Sequence, residues 1–171
     1  GNNSYTGATT LSAGTLRATE SPAALGAGNL ALGGGTLELA NDTALAFGRP
    51  TSFTGNTTVT IDTLTAQDGL THSLGALTTG SFTLTLQPGA NLNLDTPYGL
   101  TFAATTLAGN PMTINVANNG TGLGTVTLGS LSNAAARGLT KTGAGTLLLN
   151  AASGTLTSGT AGGAVEPKKP L

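Results

Sequence analysis

Cysteine and tryptophan are both absent from this chain of 171 residues, and charged residues are scarce. Without cysteine the chain has neither disulfides nor thiolate metal ligands. Charged residues make up 8% of the sequence, against about 25% in an ordinary domain. Six Lys and Arg against seven Asp and Glu leave a net charge of −1, so the chain lacks the basic stripe that binds a nucleic-acid backbone. The composition therefore excludes a nucleic-acid-binding protein and a disulfide-stabilised domain.

Long apolar runs are also missing, since no stretch approaches the roughly 18 residues that a membrane helix needs. We therefore expect no membrane insertion. What the chain has in abundance is threonine, glycine and leucine, with 33, 27 and 27 residues. Threonine is β-branched and fits a pleated, half-buried surface, while glycine supplies turns. The mean hydropathy of +0.15 argues against disorder, which goes with low hydrophobicity and high charge. The composition predicts many short strands separated by turns.

Short segments in which leucine, valine or isoleucine alternates with threonine or asparagine recur along the chain. Such alternation places the apolar side chains on one face of a strand and the polar ones on the other. The clearest segments are residues 36–39, 58–61, 83–86, 91–94, 113–116, 125–128 and 146–149. We expect each of them to form a strand with one buried face.

These segments return at a nearly constant interval of about 21–22 residues, which is too short for most helical repeats and fits one coil of a β-helix. The interval separates Thr15 from Thr36, Thr36 from Thr58, Asn91 from Thr113 and Thr125 from Thr146. The step from Thr58 to Thr83 is longer and predicts an insertion in residues 62–80.

We interpret the chain as an all-β protein, a parallel β-helix or β-solenoid with coils of about 21–22 residues. Residues 1–150 form the solenoid domain, and residues 151–171 form a C-terminal tail that serves as a linker or as a strand between subunits. The alternative is an antiparallel β-sandwich, which also consists of short strands separated by turns. The regular spacing and the lack of large aromatic residues to fill a wide core favour the solenoid.

Two segments, one near each end, carry a recognisable motif. The N-terminal motif half consists of Asn3, Tyr5, Gly7, Thr9, Gly14 and Leu16. The C-terminal motif half consists of Lys141, Gly143, Gly145, Thr146 and Leu147. Together they resemble the two halves of the autotransporter-associated β-strand repeat of bacterial surface proteins. The resemblance implies a right-handed β-helix that lies outside the cell or on its surface, with a structural or adhesive role.

The motif residues fit defined positions in one coil of a β-helix. We expect Gly7 and Gly14 at turns that need a positive φ, since glycine adopts that conformation without steric cost. Leu11 and Leu16 should point inward, and the hydroxyl of Tyr5 should lie at the surface.

The order of the two halves is reversed relative to the family pattern, in which the lysine-containing half comes first. One explanation is that the chain is cut from a tandem array, so that its partner is the rest of a longer repeat chain. The other is that copies stack head to tail, each junction rebuilding one motif. A heterologous contact that does not close on itself produces a filament.

The few acids in or beside the predicted insertion are the candidates for catalysis. Asp62, Asp68 and Asp95, with His72 between them, could supply the paired carboxylates that glycoside hydrolysis needs. Aspartate beside glycine is more often a turn residue, and one histidine without cysteine makes a poor metal site. We therefore predict no enzyme, no catalytic or metal residues and no cofactor. A structural module is the first interpretation, an adhesin that binds surface glycans or another host ligand is the second, and a polysaccharide-degrading β-helix enzyme is the third.

Overall fold

The computed structural model describes residues 1–108, 111–132 and 137–150, together with the backbone of residues 152–153 and 165–167. Its described residues contain strands, turns and bends without an α-helix, and none of them forms a helix able to cross a membrane. The strands are β1 (Thr9–Leu11), β2 (Thr15–Thr19), β3 (Leu30–Leu32), β4 (Thr36–Ala40), β5 (Thr51–Phe53), β6 (Thr57–Asp62), β7 (Thr71–Ser73), β8 (Leu77–Thr78), β9 (Thr83–Pro88), β10 (Tyr98–Phe102), β11 (Thr105–Thr106), β12 (Met112–Val116), β13 (Gly124–Leu128), β14 (Leu131–Ser132), β15 (Leu139–Thr142), β16 (Thr146–Leu149), β17 (Ala152–Ser153) and β18 (Val165–Pro167).

The strands form three sheets, and every pair of neighbouring strands is parallel. Sheet A has seven strands in the order β1-β3-β5-β8-β11-β14-β17, sheet B has six in the order β15-β12-β9-β6-β4-β2, and sheet C has five in the order β18-β16-β13-β10-β7. In the first two coils the chain alternates between sheets A and B. From β5 to β17 it visits the sheets in the cycle A, B, C and back to A, so successive visits to one sheet lie side by side. This arrangement confirms the parallel β-solenoid and excludes the antiparallel sandwich.

Side chains of equivalent positions stack in columns from coil to coil. In sheet B one inward column runs through Leu37, Val59, Leu86 and Val116, all with 0% exposure. The neighbouring outward column is half-buried and consists of Thr36, Thr58, Thr85, Asn115 and Thr142. The predicted alternation is therefore confirmed, because the apolar members fill the interior while threonine and asparagine form the outer face.

Coil length changes along the solenoid. In sheet A Leu30 pairs with Thr9 on one side and with Thr51 on the other, and in sheet C Thr146 pairs with Thr125. These end coils therefore have the predicted length of about 21–22 residues. The middle coils are longer, since Thr113 pairs with Thr83 in sheet B. The predicted interval is confirmed for the end coils only.

One predicted equivalence is wrong. Thr113 does not follow Asn91 by one coil, because its partner in the sheet is Thr83. Residues 91–94 lie between β9 and β10, where only a single bridge joins Leu92 to Gln67. Their alternation belongs to a lateral loop and not to a strand.

The additional residues of the middle coils form three lateral loops, residues 63–70, 89–97 and 117–123. The first of them falls within the predicted insertion. The loops lie against one another, since the N–H of Asn93 donates to the carbonyl of Gln67 at 2.7 Å and that of Asp95 donates to the carbonyl of Asn119 at 3.1 Å. They stack in the same way as the coils from which they project.

The described backbone continues the sheets past residue 150. Ala152–Ser153 pairs with β14, and Val165–Pro167 pairs with β16, both in parallel. The other residues assigned to a tail at 151–171 lie outside the described part of the chain.

The columns predict a position-specific effect of substitution in the central coil. Leu84→Ala removes a side chain with 0% exposure from the interior and should lower the free energy of unfolding by about 2–5 kcal/mol. Its neighbour Thr85 points outward, so Thr85→Ala should change that free energy by no more than about 0.5 kcal/mol. Urea unfolding followed by circular dichroism measures both. Equal effects at the two positions would contradict the assigned faces.

Candidate functional site

A groove runs along one flank of the solenoid beside the lateral loops. Its volume is about 680 Å³, and its lining is polar apart from alanine and leucine. The lining residues are Asp42, Thr43, Ala44, Ala66, Gln67, Asp68, Leu70 and Asn93. Three successive coils contribute to it, so a ligand in the groove would contact side chains from all three.

Asp42 forms the hydrogen-bonding centre of this groove. Its Oδ1 accepts from the backbone N–H groups of Leu64 at 2.7 Å and Thr65 at 2.9 Å, and its Oδ2 accepts from the Thr65 hydroxyl at 2.9 Å. The N–H of Thr65 contributes most to holding the pKa of Asp42 below its usual value, while desolvation acts in the opposite direction. The carboxylate thus caps the loop of the following coil.

The three acidic candidates for catalysis have similar partners. Asp62 is buried, and its Oδ1 accepts from the N–H of Asn91 at 3.0 Å. Asp68 accepts from the Asn93 side chain at 3.0 Å. Asp95 has a φ of 67° and accepts from the backbone N–H of Thr121 at 2.6 Å.

Each of these three partners lies 25 to 29 residues further along the chain, in the following coil. Each of these three carboxylates therefore joins its own coil to the following one through a hydrogen bond.

His72 is fully buried on the inner face of sheet C. Its Nδ1 accepts from the backbone N–H of Leu45 at 3.0 Å, and its ring meets that of Phe47 edge to face with centroids 5.8 Å apart. Its Nε2 has no hydrogen-bond partner among the described residues. Burial lowers the pKa of His72, opposed in part by the backbones of Asp62 and Leu45. His72 is thus a core histidine whose burial disfavours the protonated form.

The arrangement offers acceptors for hydrogen bonds but no metal-binding cluster. Within the described ranges no three residues among histidine, aspartate and glutamate come together in a way that could hold a metal ion. Gln67 anchors the groove floor by donating to the carbonyl of Asp42 at 2.8 Å. The amide and carboxylate groups of the groove present polar atoms to its interior, while each of them also braces one coil against the next.

The N-terminal motif half lies in the first coil. Asn3 donates from its side chain to the carbonyl of Ala24 at 2.7 Å, and Thr9 donates to that of Leu25 at 3.1 Å. Tyr5 is 44% exposed, and its hydroxyl bonds to that of Thr9. The predicted surface position of the tyrosine hydroxyl agrees with this geometry.

The glycines of this half are only partly as expected. Gly14 has a φ of 72° at the corner between β1 and β2, as predicted. Gly7 is not among the residues with positive φ, so that expectation is wrong. Leu11 is buried at 5% exposure, and the half-buried Leu16 packs against the core.

The C-terminal motif half forms a corner between sheets B and C. Gly143 has a φ of 78° at this corner, and Thr146 and Leu147 begin β16 immediately after Gly145. Lys141 is buried in the inward column of Leu84 and Ile114. Its Nζ donates to the carbonyls of Thr142 and Gly143 at 2.9 and 2.8 Å.

Burial lowers the pKa of Lys141. Its methylene stem thus fills a core position, while the ammonium group reaches the backbone of the corner.

The structure does not bring the two motif halves together within one chain, because they occupy opposite ends of the stack. Each of them does occupy a defined part of a coil. The N-terminal half covers a strand of sheet A, a corner and a strand of sheet B, whereas the C-terminal half covers a strand of sheet B, a corner and a strand of sheet C. Joined in the order C-terminal half then N-terminal half, they would run from a strand of sheet B through sheets C and A to the next strand of sheet B, which is one turn of the solenoid.

Sequence reasoning missed three residues that support the flank. Asp42 was not among the candidates, although aspartate followed by threonine between strands is a turn signal. Asn119 is buried and donates to the carbonyl of Asn93 at 2.8 Å. Tyr98 is buried, and its hydroxyl donates to the carbonyl of Ala117 at 2.7 Å; this burial raises the tyrosine pKa.

Comparison with models of known protein families, with curated proteins and with solved structures finds no match to this chain. The resemblance of the two motif halves to the autotransporter-associated repeat therefore remains a prediction.

The capping contacts of Asp42 predict a difference between two substitutions. Asp42→Ala removes both acceptors and should lower the midpoint of thermal unfolding, because two backbone N–H groups lose their partner. Asp42→Asn keeps one acceptor oxygen and should lose less. Since the carboxyl pKa is depressed in the folded state, its contribution is present above the unfolded pKa of about 3.9 and is lost as the pH falls below it. Calorimetry at neutral and acid pH measures this, and identical midpoints for the wild type and Asp42→Ala at neutral pH would refute the capping role.

Proposed function

We propose that this chain is a non-enzymatic structural module of a bacterial surface or extracellular β-solenoid, serving as a rigid stalk or fibre segment. One observation carries the proposal: parallel strand ladders continue from coil to coil through all three sheets. Asp42, Asp62 and Asp95 each join one coil to the next through a hydrogen bond to the backbone. Hydrogen bonding between coils is therefore continuous along the direction in which the coils stack.

The dimensions support a role in extension. Sheet A has seven strands, one for each coil. With about 4.8 Å between paired strands, the stack is roughly 30–35 Å long. Each coil is stabilised only by its neighbours, so length can be increased without redesign of the interior. This property suits a spacer better than a module with one defined site.

The location outside the cell rests on the resemblance of the motif halves to passenger-domain repeats. The chemistry of the chain is compatible with it, because a surface stalk needs neither cysteine nor a cofactor. The low charge and the threonine-rich outer columns also suit a surface that remains hydrated without strong ionic interactions.

Self-stacking is part of this proposal. Among the described strands β1 pairs only with β3, and β2 pairs only with β4, so each has one unpaired edge. Wherever such an edge is not covered by a further coil of the same chain, it can accept a parallel strand from another copy. The two motif halves, one at each end of the chain, favour a copy of this chain as that partner.

The groove supports a second candidate function, adhesion through a surface glycan. Its amide and carboxylate groups, at Gln67, Asp68 and Asn93, are of the kind that bind sugar hydroxyl groups. Binding of the purified chain to a glycan array, abolished by Asn93→Ala, would favour adhesion over a purely structural role.

The structural proposal predicts that two copies joined correctly form one straight rod. In the test protein, residue 150 of one copy is followed directly by Gly1 of the second, which restores a continuous motif. Electron microscopy should show rods about twice as long as a single copy, near 65 Å. A control with a flexible linker of about ten glycine and serine residues at the same junction should show two hinged rods.

Two outcomes would count against the proposal. If the direct fusion shows the same hinged pair as the control, the motif halves do not complete a coil. If concentrated single copies remain monomers in electron microscopy, self-stacking is excluded. The images of the direct fusion then decide whether the chain can still be part of a stalk that continues within one polypeptide.

A further inference from the structure

Residues 41–47 form the first part of the connection between β4 and β5, and we name this segment the clasp loop. In its coil this loop takes the place that a strand of sheet C occupies in later coils. It is joined to the following coil by backbone bonds, from Phe47 N–H to Ser73 O at 2.9 Å and from Ser73 N–H to Leu45 O at 3.0 Å. The loop also supplies one wall of the lateral groove, at Asp42, Thr43 and Ala44.

Two titratable side chains complete the attachment, and both act as hydrogen-bond acceptors. At one end of the loop the carboxylate of Asp42 accepts from Leu64 and Thr65. At the other end the N–H of Leu45 donates to Nδ1 of His72. A histidine nitrogen accepts a hydrogen bond only when it carries no proton. Protonation of His72 would therefore place its own Nδ1–H against the N–H of Leu45, so that two donors face each other.

We propose that the attachment of the clasp loop to the following coil is sensitive to acid. The loop is attached at neutral pH, where Nδ1 of His72 accepts from the N–H of Leu45, and it detaches when His72 takes up a proton. Release detaches Leu45 and Phe47 from the following coil and removes one wall from the groove. The buried ring of Phe47, which packs edge to face on His72, becomes exposed in the open form. The proposal concerns a local opening of one coil and does not depend on the proposed stalk function.

In the described part of the chain, no charged side chain near His72 offers a substitute partner for the protonated ring. On the clasp loop Asp42 is engaged with Leu64 and Thr65, and Arg49 beyond it donates to the carbonyl of Phe47 at 2.7 Å. At the end of β6 the carboxylate of Asp62 binds the N–H of Asn91, so only the backbones of Asp62 and Leu45 favour the protonated ring, and the effect of burial on the pKa of His72 outweighs them.

The titratable groups on the chain before β7 and on the neighbouring strand β10 are also occupied. Asp68, which precedes β7, is bonded to Asn93, and Tyr98 on the neighbouring β10 is bonded to Ala117. The positive charge of a protonated His72 would thus be buried without a compensating charge, which favours opening.

The direction of the pH effect follows from linkage. Burial keeps the pKa of His72 in the closed form below its usual value, whereas in the open form it is near 6.5. As the pH falls below about 6.5, the open form binds a proton that the closed form does not, and the opening equilibrium rises by up to about tenfold per pH unit. Asp42 adds its own loss only below about pH 4.

Native-state amide hydrogen exchange tests the clasp on the whole chain. Exchange at Leu45, Phe47 and Ser73, corrected for intrinsic rates, should become faster as the pH falls from about 7.5 to about 5. Val59, in the middle of sheet B, is the reference and should keep a constant opening equilibrium. In His72→Asn the amide oxygen can accept from Leu45 but does not titrate, so the pH dependence should disappear.

Asp42→Asn is the matched control, because it alters the other end of the loop and leaves His72 in place; it should retain the dependence. An unchanged pH dependence in His72→Asn would overturn the proposal. If His72→Asn does not fold, the ring resonances of His72 in the wild type decide. Protonation that coincides with faster exchange at Leu45 supports the clasp, whereas protonation near pH 6.5 with unchanged exchange contradicts it.

Discussion

The whole structure depends on one constraint, the parallel pairing of each coil with the next in a defined register. A backbone N–H or carbonyl that is buried without a partner is costly, and in this fold the partners come almost entirely from the coils before and after. Because side chains alternate with a period of two, a slip of one residue would turn the leucines outward and the threonines inward. The apolar columns and the backbone ladders therefore maintain each other's register.

The polar residues on the flank follow the same constraint. Where coils lengthen into lateral loops, regular strand pairing stops, and side chains take over its function. Asp42, Asp62 and Asp95 each accept backbone N–H groups of the following coil. Asn119 donates back to the carbonyl of Asn93 in the preceding coil. Several charged residues in the described part of the chain thus brace one coil against the next, as does the ion pair of Arg17 and Glu38 at 2.7 Å across β2 and β4.

Much of the fold could be predicted from the sequence, because the longer strands show clear alternation. The strands of sheet A are shorter, down to two residues at Leu77–Thr78, and a segment of that length cannot show a period. Residues 91–94 alternate in the same way but lie in a loop, where the Asn91 side chain donates to the carbonyl of Thr63 at 2.8 Å. The local sequence does not distinguish this loop from the alternating strands, because the partner of Asn91 lies 28 residues away.

The groove and the contacts of His72 were the least predictable part of the structure. His72 could be named as a candidate from its chemistry, but its burial and its contact with Leu45 depend on a register set 27 residues earlier. Asp42 lies before the predicted insertion and contacts it only because the coils stack. In a solenoid the neighbours of any surface residue are one coil away, so loop length, which varies from coil to coil, decides which side chains meet.

Distances between spin labels along the outer threonine column of sheet B test the stacked arrangement most directly. The chain has no cysteine, so cysteine pairs introduced at Thr142 with Thr85, Thr36 or Thr15 can be labelled without interference. These pairs are separated by two, four and five coils. The account predicts backbone separations near 10, 19 and 24 Å, increasing by about 4.8 Å per coil. Distances that do not increase in this order would contradict the parallel solenoid.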